Sequence, residues 1–196
     1  MKRDTHFSQA TPPGRGAMSI IRLSGPMSIE SVSIICRKDL RKHIKRKTIL
    51  TTVYDTEGSP VDTALITFFQ QPNSYTGEDV VEISCHGNPY IVDAIAEALL
   101  KTGVRISEPG EFTKDAFLNG KIDLVQAESI GSLISSRSMV AARMSLRILR
   151  GDLTERLLMI RGSLIGLLSQ YEFELDISED DSFFFNVSQK SAFHYS

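Results

Sequence analysis

The stretch Asp79-Val80-Val81-Glu82-Ile83-Ser84-Cys85-His86 decides the fold of this chain, because its side chains alternate between apolar and polar. Alternation with a period of two predicts a half-buried β-strand, with one set of side chains on each face. The face expected to be apolar carries Val81, Ile83 and Cys85. The opposite face is expected to carry a carboxylate, a hydroxyl and an imidazole, from Glu82, Ser84 and His86.

The residues that follow this strand predict a helix and a short return strand. Asn88 is a good helix cap, and Pro89 fits the first helical turn. Apolar residues then recur at helical spacing, and a glycine suited to end a helix follows them. These residues are Val92, Ile95, Ala96, Leu99, Leu100 and the terminating Gly103. A brief strand is predicted for Val104–Ile106.

The region before Asp79 also reads as short strands that are separated by turn residues. Runs rich in β-branched residues predict strands over Ala17–Leu23, Ile49–Tyr54 and Val61–Phe69. A short helix is predicted over Met27–Cys36. Because these elements are short and closely connected, we expect an α+β domain with a mainly antiparallel sheet.

The pattern changes near residue 120 and becomes helical. Asp123 is expected to cap one helix, and another is expected to begin near Ser138. Between residues 153 and 171 the apolar side chains recur every three or four residues, which is a heptad-like seam that needs partner helices. The seam consists of Leu153, Leu157, Ile160, Leu164, Leu167 and Tyr171.

These patterns divide the chain into three parts. Residues 1–120 form the α+β domain, and residues 121–180 form the first part of an all-α helical domain that is incomplete. Residues 181–196 are predicted to be an irregular tail.

The composition is that of an ordinary soluble globular protein. The 196 residues are 41% hydrophobic and 23% charged, with a net charge of −2. No apolar run reaches the length of a membrane span, and no signal peptide is recognisable, so we expect a cytoplasmic protein. The two cysteines, Cys36 and Cys85, are expected to be reduced and buried.

Three polar segments have more than one interpretation. The glycine-rich stretch Pro12–Gly16 is either a phosphate-cradling loop or a tight connection between two strands, and the nucleotide P-loop pattern occurs nowhere in the chain. Arg37–Lys47 holds seven Lys or Arg in eleven residues, which favours a solvated surface over contact with a phosphate backbone. The acidic run after Tyr171 is more typical of a solvated helix end than of a metal site.

The four histidines do not predict a site. His6, His43, His86 and His194 lack the spacing of metal ligands. No Ser-His-Asp or Cys-His arrangement is predicted either.

Three groups of longer sequence motifs resemble those of a known protein family. The first is ATPPGRG at 10–16 with IIRLSG at 20–25. The second is PNSYTGEDVVE at 72–82 with His86-Gly87. The third is EPGEFT at 108–113 with AFLNGKIDL at 116–124 and QAE at 126–128. Together they resemble the N-terminal region of the MnmE/TrmE family, the tRNA wobble-uridine modification GTPases, from about residue 5 to about residue 180.

The resemblance implies a fold, a cofactor and partners. Members of this family bind 5-formyl-tetrahydrofolate as one-carbon donor in an N-terminal α+β domain, which also forms the homodimer. A helical domain follows, with an inserted GTPase domain that holds GTP, Mg and K. With an FAD-dependent partner protein, they install a carboxymethylaminomethyl-type group (cmnm5U34-type) on the wobble uridine of tRNA.

The resemblance also implies site residues, because the family's folate contacts match Arg22, Glu82 and Lys121. The chemistry suits those positions. A carboxylate accepts two neighbouring N–H groups of a pterin, and cationic side chains pair with the carboxylates of the folate tail. Neither a catalytic residue nor a metal ligand is implied.

The sequence departs from the family pattern in two ways, and two alternative functions remain open. Asn88 stands where the family has a second glycine, and Asn tolerates the same turn geometry. The chain is expected to stop before the GTPase domain, through an engineered truncation, a natural one or a frameshift, and so to lack a further cationic folate contact. The alternatives are a free-standing folate-dependent one-carbon transferase and a purely structural dimerisation module.

Overall fold

The computed structural model describes residues 4–43 and 48–191. They fall into two compact units, of which the first extends to Ala127 and the second begins at Glu128. The first unit contains a sheet with helices, and the described part of the second contains only helices. This order, an α+β domain followed by a helical region, is the order that the sequence predicts.

A six-stranded sheet organises the first unit. Its strands are β1 (His6–Gln9), β2 (Met18–Ser24), β3 (Thr48–Tyr54), β4 (Pro60–Phe69), β5 (Val80–His86) and β6 (Arg105–Ile106). The order across the sheet is β3-β4-β5-β2-β1-β6. Every pair is antiparallel except β1 with β6, which confirms the prediction of a mainly antiparallel sheet.

Three helices accompany the sheet, and a fourth begins at the end of this unit. They are α1 (Ser28–Ile35), α2 (Pro89–Lys101) and α3 (Glu111–Leu118), with a 3-10 turn at Arg41–His43. Asn88 caps α2 as predicted, because its side chain accepts a hydrogen bond of 3.1 Å from the backbone N–H of Tyr90. Gly103 follows the end of α2 with a φ of +90°, the left-handed conformation that stops a helix.

The core lies on one face of the sheet and is closed by α1 and α2. Val81, Ile83 and Cys85 of β5 are buried, as the alternation predicts. Val32 of α1 and Ile95 of α2 belong to the same buried cluster. Burial of such apolar surface contributes roughly 25 cal/mol per Å². The opposite face of β5 is therefore left for polar side chains.

Both cysteines are free and buried, as predicted. Burial raises the pKa of the Cys36 thiol to about 12 and that of the Cys85 thiol to about 11. Both thiols are therefore protonated at neutral pH and act as small apolar groups.

Three helices make up the rest of the described chain: α4 (Leu124–Ile134), α5 (Met139–Leu149) and α6 (Asp152–Ser191). Asp123 caps α4 in a reciprocal pair. Its carboxylate accepts from the Gln126 backbone N–H at 2.8 Å, and the Gln126 side chain accepts from the Asp123 N–H at 2.9 Å. Ser138 caps α5 by accepting from the Ala141 N–H at 3.2 Å. The predicted starts of both helices are confirmed.

The heptad-like seam lies on α6, and its side chains are exposed. Their exposed fractions run from 37% at Leu153 to 64% at Tyr171. Nothing in the described part of the chain combines the length and apolar character of a membrane-spanning helix.

The predicted irregular tail differs from the structure. Helix α6 extends through Ser191, so residues 181–191 are helical, and residues 192–196 lie outside the described residues. The physical reason is that residues 182–191 contain neither Gly nor Pro. A helix that has already formed extends more easily than it starts.

Candidate functional site

Arg22 and Glu82 form an ion pair across two neighbouring strands. They are direct partners in the register of β2 and β5. The Arg22 Nη2 lies 2.7 Å from Glu82 Oε1, and Nε donates to the same oxygen at 2.9 Å. The side chains are 30% and 20% exposed, so the pair remains accessible to a ligand on the face opposite the core.

Two aromatic rings flank the Arg22 guanidinium. Its central carbon is 5.7 Å from the ring centroids of both Tyr75 and Phe112. Tyr75 comes from the loop before β5 and Phe112 from α3, and the Tyr75 hydroxyl lies 3.0 Å from the Thr113 hydroxyl. Such cation–π contacts hold an arginine in a fixed direction and add a flat apolar surface beside it. Neither ring was predicted as a site residue, although both stand in the motif strings at 72–82 and 108–113.

Lys121 contacts the loop that supplies Tyr75. Its Nζ donates to the Pro72 carbonyl at 2.9 Å. Gly77 has a φ of +80°, and a Cβ there would lie 3.3 Å from the Lys121 alkyl chain. The structure therefore places Arg22 and Glu82 in contact, and it joins Lys121 to this pair through the 72–77 loop.

His6 is buried beneath α3 and connects three parts of the first unit. Its Nδ1 lies 2.7 Å from the Ser107 hydroxyl, and its Nε2 lies 2.8 Å from the Asp115 carboxylate. The Phe112 ring packs on it with centroids 4.7 Å apart. The sequence predicted no Ser-His-Asp arrangement, and this one joins residues about a hundred positions apart. Because His6 is only 2% exposed, it lacks the access to substrate that a general base needs.

Charged side chains surround a cleft of about 690 Å³ next to His6. Glu111 lines it and forms an ion pair with Arg105, which also pairs with Asp4. The hydrogen bonds from Arg105 lower the pKa of Glu111 to about 2. Across the described ranges, no three His, Cys, Asp or Glu side chains are placed to hold a metal ion.

The surface on which Glu82 lies continues as an apolar patch. Met18 and Leu65 are register partners of His86 and Ser84, and Leu50 is the partner of Leu65. The exposed fractions of Met18, Leu50 and Leu65 are 57%, 63% and 43%. We call this face of β2, β5, β4 and β3 the open face. It has an ionic part around Arg22 and an apolar part around Leu65.

His86 is held at the end of β5 by Asp62. The His86 Nδ1 lies 2.8 Å from one Asp62 oxygen, and its backbone N–H donates to the other at 2.8 Å. Although burial opposes the effect, these bonds from His86 lower the pKa of Asp62. The predicted polar face of β5 therefore carries the Arg22–Glu82 ion pair within the strand and the His86–Asp62 hydrogen bonds at its end.

The glycine-rich stretch Pro12–Gly16 connects β1 to β2, as in the second of its two interpretations. The Gly16 N–H donates to the Gly87 carbonyl at 2.8 Å. A Cβ on Gly87 would lie 2.5 Å from the Gly16 oxygen, so only glycine fits this close approach of two backbones.

The described Lys and Arg side chains of the basic segment are exposed. Arg37, Lys38, Arg41 and Lys42 are all exposed, and Arg41 pairs with Glu30 at 2.9 Å. Residues 44–47 lie outside the described residues. The exposure agrees with a solvated surface.

The fold and the candidate site together define a class of protein. Its members have an α+β domain with an arginine–carboxylate pair on the open face of the sheet, and a helical segment follows that domain in the sequence. Residues 5–121 match the family model of the GTP-binding protein TrmE N-terminus. This chain belongs to the MnmE/TrmE family and corresponds to its N-terminal part.

Individual relatives agree with that assignment. The tRNA modification GTPase MnmE of Thermotoga maritima is 44% identical over 180 residues, which is 90% of this chain and 39% of the relative. The MnmE of Neisseria meningitidis serogroup B is 42% identical over 172 residues, covering 88% of this chain and 38% of the relative. The MnmE of Cytophaga hutchinsonii is 40% identical over 186 residues, covering 95% and 40%. The chain therefore spans about two fifths of the length of the curated relatives it matches.

Proposed function

We propose that this chain binds a reduced folate, 5-formyl-tetrahydrofolate, through Arg22, Glu82 and Lys121. The observation that carries the proposal is the Arg22–Glu82 pair on the open face, flanked by Tyr75 and Phe112. It offers a carboxylate, a fixed cation and flat aromatic surfaces to one ligand. Those are the chemical groups that a pterin with a carboxylate tail requires.

Each residue has a distinct part in this binding. Glu82 accepts hydrogen bonds from neighbouring N–H groups of the pterin, which are strong because the acceptor is charged. Arg22 and Lys121 pair with negative oxygens of the folate. The contact between Arg22 and Glu82 neutralises both side chains before the ligand arrives, which lowers the cost of holding them partly buried.

Titration calorimetry with 5-formyl-tetrahydrofolate tests the site. Glu82→Gln removes one or two charge-assisted hydrogen bonds, at about 1.5–3 kcal/mol each, so affinity should fall at least tenfold. Glu30→Gln is the matched control, because it also removes a carboxylate from an arginine pair but lies on the exposed surface of α1. Equal folate affinity in wild type and Glu82→Gln would remove Glu82 from the site.

The wider function follows from the family. The chain is the folate-binding front part of a protein that modifies the wobble uridine of tRNA, with the folate supplying one carbon. An FAD-dependent partner protein and tRNA belong to the complete complex. GTP, Mg and K belong to the GTPase domain of the family. A pull-down of tRNA and partner protein with the full-length relative and with this chain separates what each part binds.

Dimerisation is the second part of the proposal, and it uses the open face. The apolar patch of Met18, Leu50 and Leu65 faces away from the core of its own chain. A second copy of this chain would cover the patch and place two ionic sites near one interface. Apolar side chains exposed in a contiguous group favour such contacts.

The two rival functions are distinguished by simple assays. One-carbon transfer by the isolated chain, without any GTPase, would support a free-standing transferase. Dimerisation without folate binding would support a purely structural module. Folate binding without transfer is the result expected here.

A further inference from the structure

We propose that His6 is a positioning residue of the folate site: it fixes α3 so that the Phe112 ring is held against Arg22. The inference rests on the proposed function of Arg22. It starts from a buried imidazole whose two nitrogens both have partners, Ser107 at 2.7 Å and Asp115 at 2.8 Å. Asp115 is on α3, while His6 is on β1, so one ring joins the helix to the sheet.

The direction of these hydrogen bonds follows from the chemistry of the partners. An ionised carboxylate only accepts, so Nε2 of His6 donates to Asp115. Nδ1 shares the other hydrogen bond with the Ser107 hydroxyl, and it lies 3.7 Å from Glu111 Oε2. Ser107 is itself held, because its backbone N–H donates to the Phe7 carbonyl at 2.8 Å. We call His6, Ser107 and Asp115 the His6 clasp.

The clasp determines where Phe112 lies. Phe112 comes three residues before Asp115, so both point to the same side of α3. Its ring is 4.7 Å from the His6 ring at an angle of 51°, and its centroid is 5.7 Å from the Arg22 guanidinium carbon. Phe112 therefore contacts the clasp and also the site.

This support matters because α3 has only eight residues. An isolated helix of that length is not stable in water, so its position depends on its contacts with the sheet. Arg22 is a long side chain, and holding it in one direction before a ligand arrives reduces the entropy lost on binding. Loss of the clasp should therefore weaken folate binding without removing any group that touches the folate.

Folate affinity in three variants tests the proposal. His6→Phe keeps a ring but removes both hydrogen bonds, and Asp115→Ala removes one of them. Each should weaken binding roughly tenfold, and the double variant should be no weaker than His6→Phe alone. Asp115→Asn should bind within about twofold of wild type, because its amide oxygen still accepts from Nε2. Lys114→Ala, at an exposed position of the same helix, is the control and should bind like wild type.

A second readout keeps the two proposals apart. In the ligand-free protein labelled with ¹⁵N, the Nε–H signal of Arg22 reports its bond to Glu82. It should move in His6→Phe and Asp115→Ala and stay in Asp115→Asn. If His6→Phe does not fold, Asp115→Ala and its rescue by Asn carry the test.

Three outcomes decide the matter. Weaker binding with a moved Arg22 signal supports the positioning role. If wild type binds folate and every variant binds it with the same affinity, the role of His6 is wrong, but the proposed folate site is still supported. If wild type binds no folate, the proposed function is wrong. If the Arg22 signal is also unchanged in His6→Phe, the positioning of Arg22 by His6 is wrong as well.

Discussion

At the scale of single residues, Glu111 shows how one carboxylate fixes the start of a helix. It is 8% exposed, it pairs with Arg105, and it accepts from the Glu108 backbone N–H at 2.7 Å. Its pKa is lowered to about 2 from an ordinary value of 4.5, chiefly by the hydrogen bonds from Arg105. A lowered folded-state pKa means that Glu111 stabilises the fold above pH 4.5, and that this contribution disappears as pH falls toward 2.

Glu111→Gln should therefore destabilise the protein by about 1–2 kcal/mol at pH 7. Urea unfolding of wild type and variant at several pH values between 7 and 2.5 measures the difference. It should be constant above pH 5 and shrink below that value. Glu57→Gln, at an exposed turn position, is the control and should change little at any pH. A difference for Glu111→Gln that is the same at every pH would contradict the assignment.

The residues of the candidate site differ in how far the sequence predicts them. The alternation in β5 is enough to place Glu82 on the face opposite the core. The contacts of Arg22 with Tyr75 and Phe112 depend on how a loop and a short helix pack, and no local pattern encodes that. The His6–Asp115 bond joins positions 109 apart in sequence, beyond the reach of any spacing rule.

At the scale of elements, length decides what could be predicted. Strands β2 to β5 and helix α2 appear within about two residues of their expected bounds, because each has a long enough apolar pattern. Strand β1 has four residues, too few for a visible alternation. Helix α3 follows a glycine with a φ of +76° and has no side-chain cap bond, so it lacks the usual start signal.

The stability of elements should differ between β5 and α6. Strand β5 is central in the sheet and carries fully buried side chains, whereas the side chains of the α6 seam are exposed. Amides protected by a core exchange only on global unfolding, and those of a poorly packed helix exchange by local opening. Hydrogen exchange should therefore show strong protection over 79–86 and weaker protection over 153–171. Uniform protection across both would mean that the seam is covered in solution.

At the scale of the whole molecule, the sequence changes character near residue 120, and the structure has two compact units that meet at residues 127 and 128. The first unit includes the Asp123–Gln126 cap that starts α4. The domain functions assigned to residues 1–120 and 121–180 stay predictions.

The sequence of residues 1–196 also predicts how the chain behaves toward nucleotides. It contains no G-x-x-x-x-G-K-[ST], so no backbone cradle, lysine or Mg-binding hydroxyl of that kind is present for the phosphates of GTP. Equilibrium dialysis with GTP and Mg should show no saturable binding, and no phosphate should be released. Saturable binding by the purified chain would reveal a nucleotide site of another type. Neither result bears on the proposed folate site, which uses other residues.

The open face should also determine whether the chain forms a dimer. If a second copy covers Met18, Leu50 and Leu65, burying each side chain stabilises the dimer by about 1.5–3 kcal/mol. Leu65→Glu replaces that gain with the cost of burying a charge, so the dimer should weaken by a hundredfold or more. Light scattering after size exclusion should show a dimer for wild type and a monomer for Leu65→Glu with an unchanged circular dichroism spectrum. Ile34→Glu is the matched control, because Ile34 is 54% exposed on α1, away from the open face, and its variant should remain dimeric. If wild type is a monomer, the proposed dimerisation is wrong. If the Leu65→Glu variant is still a dimer, the interface lies on another surface.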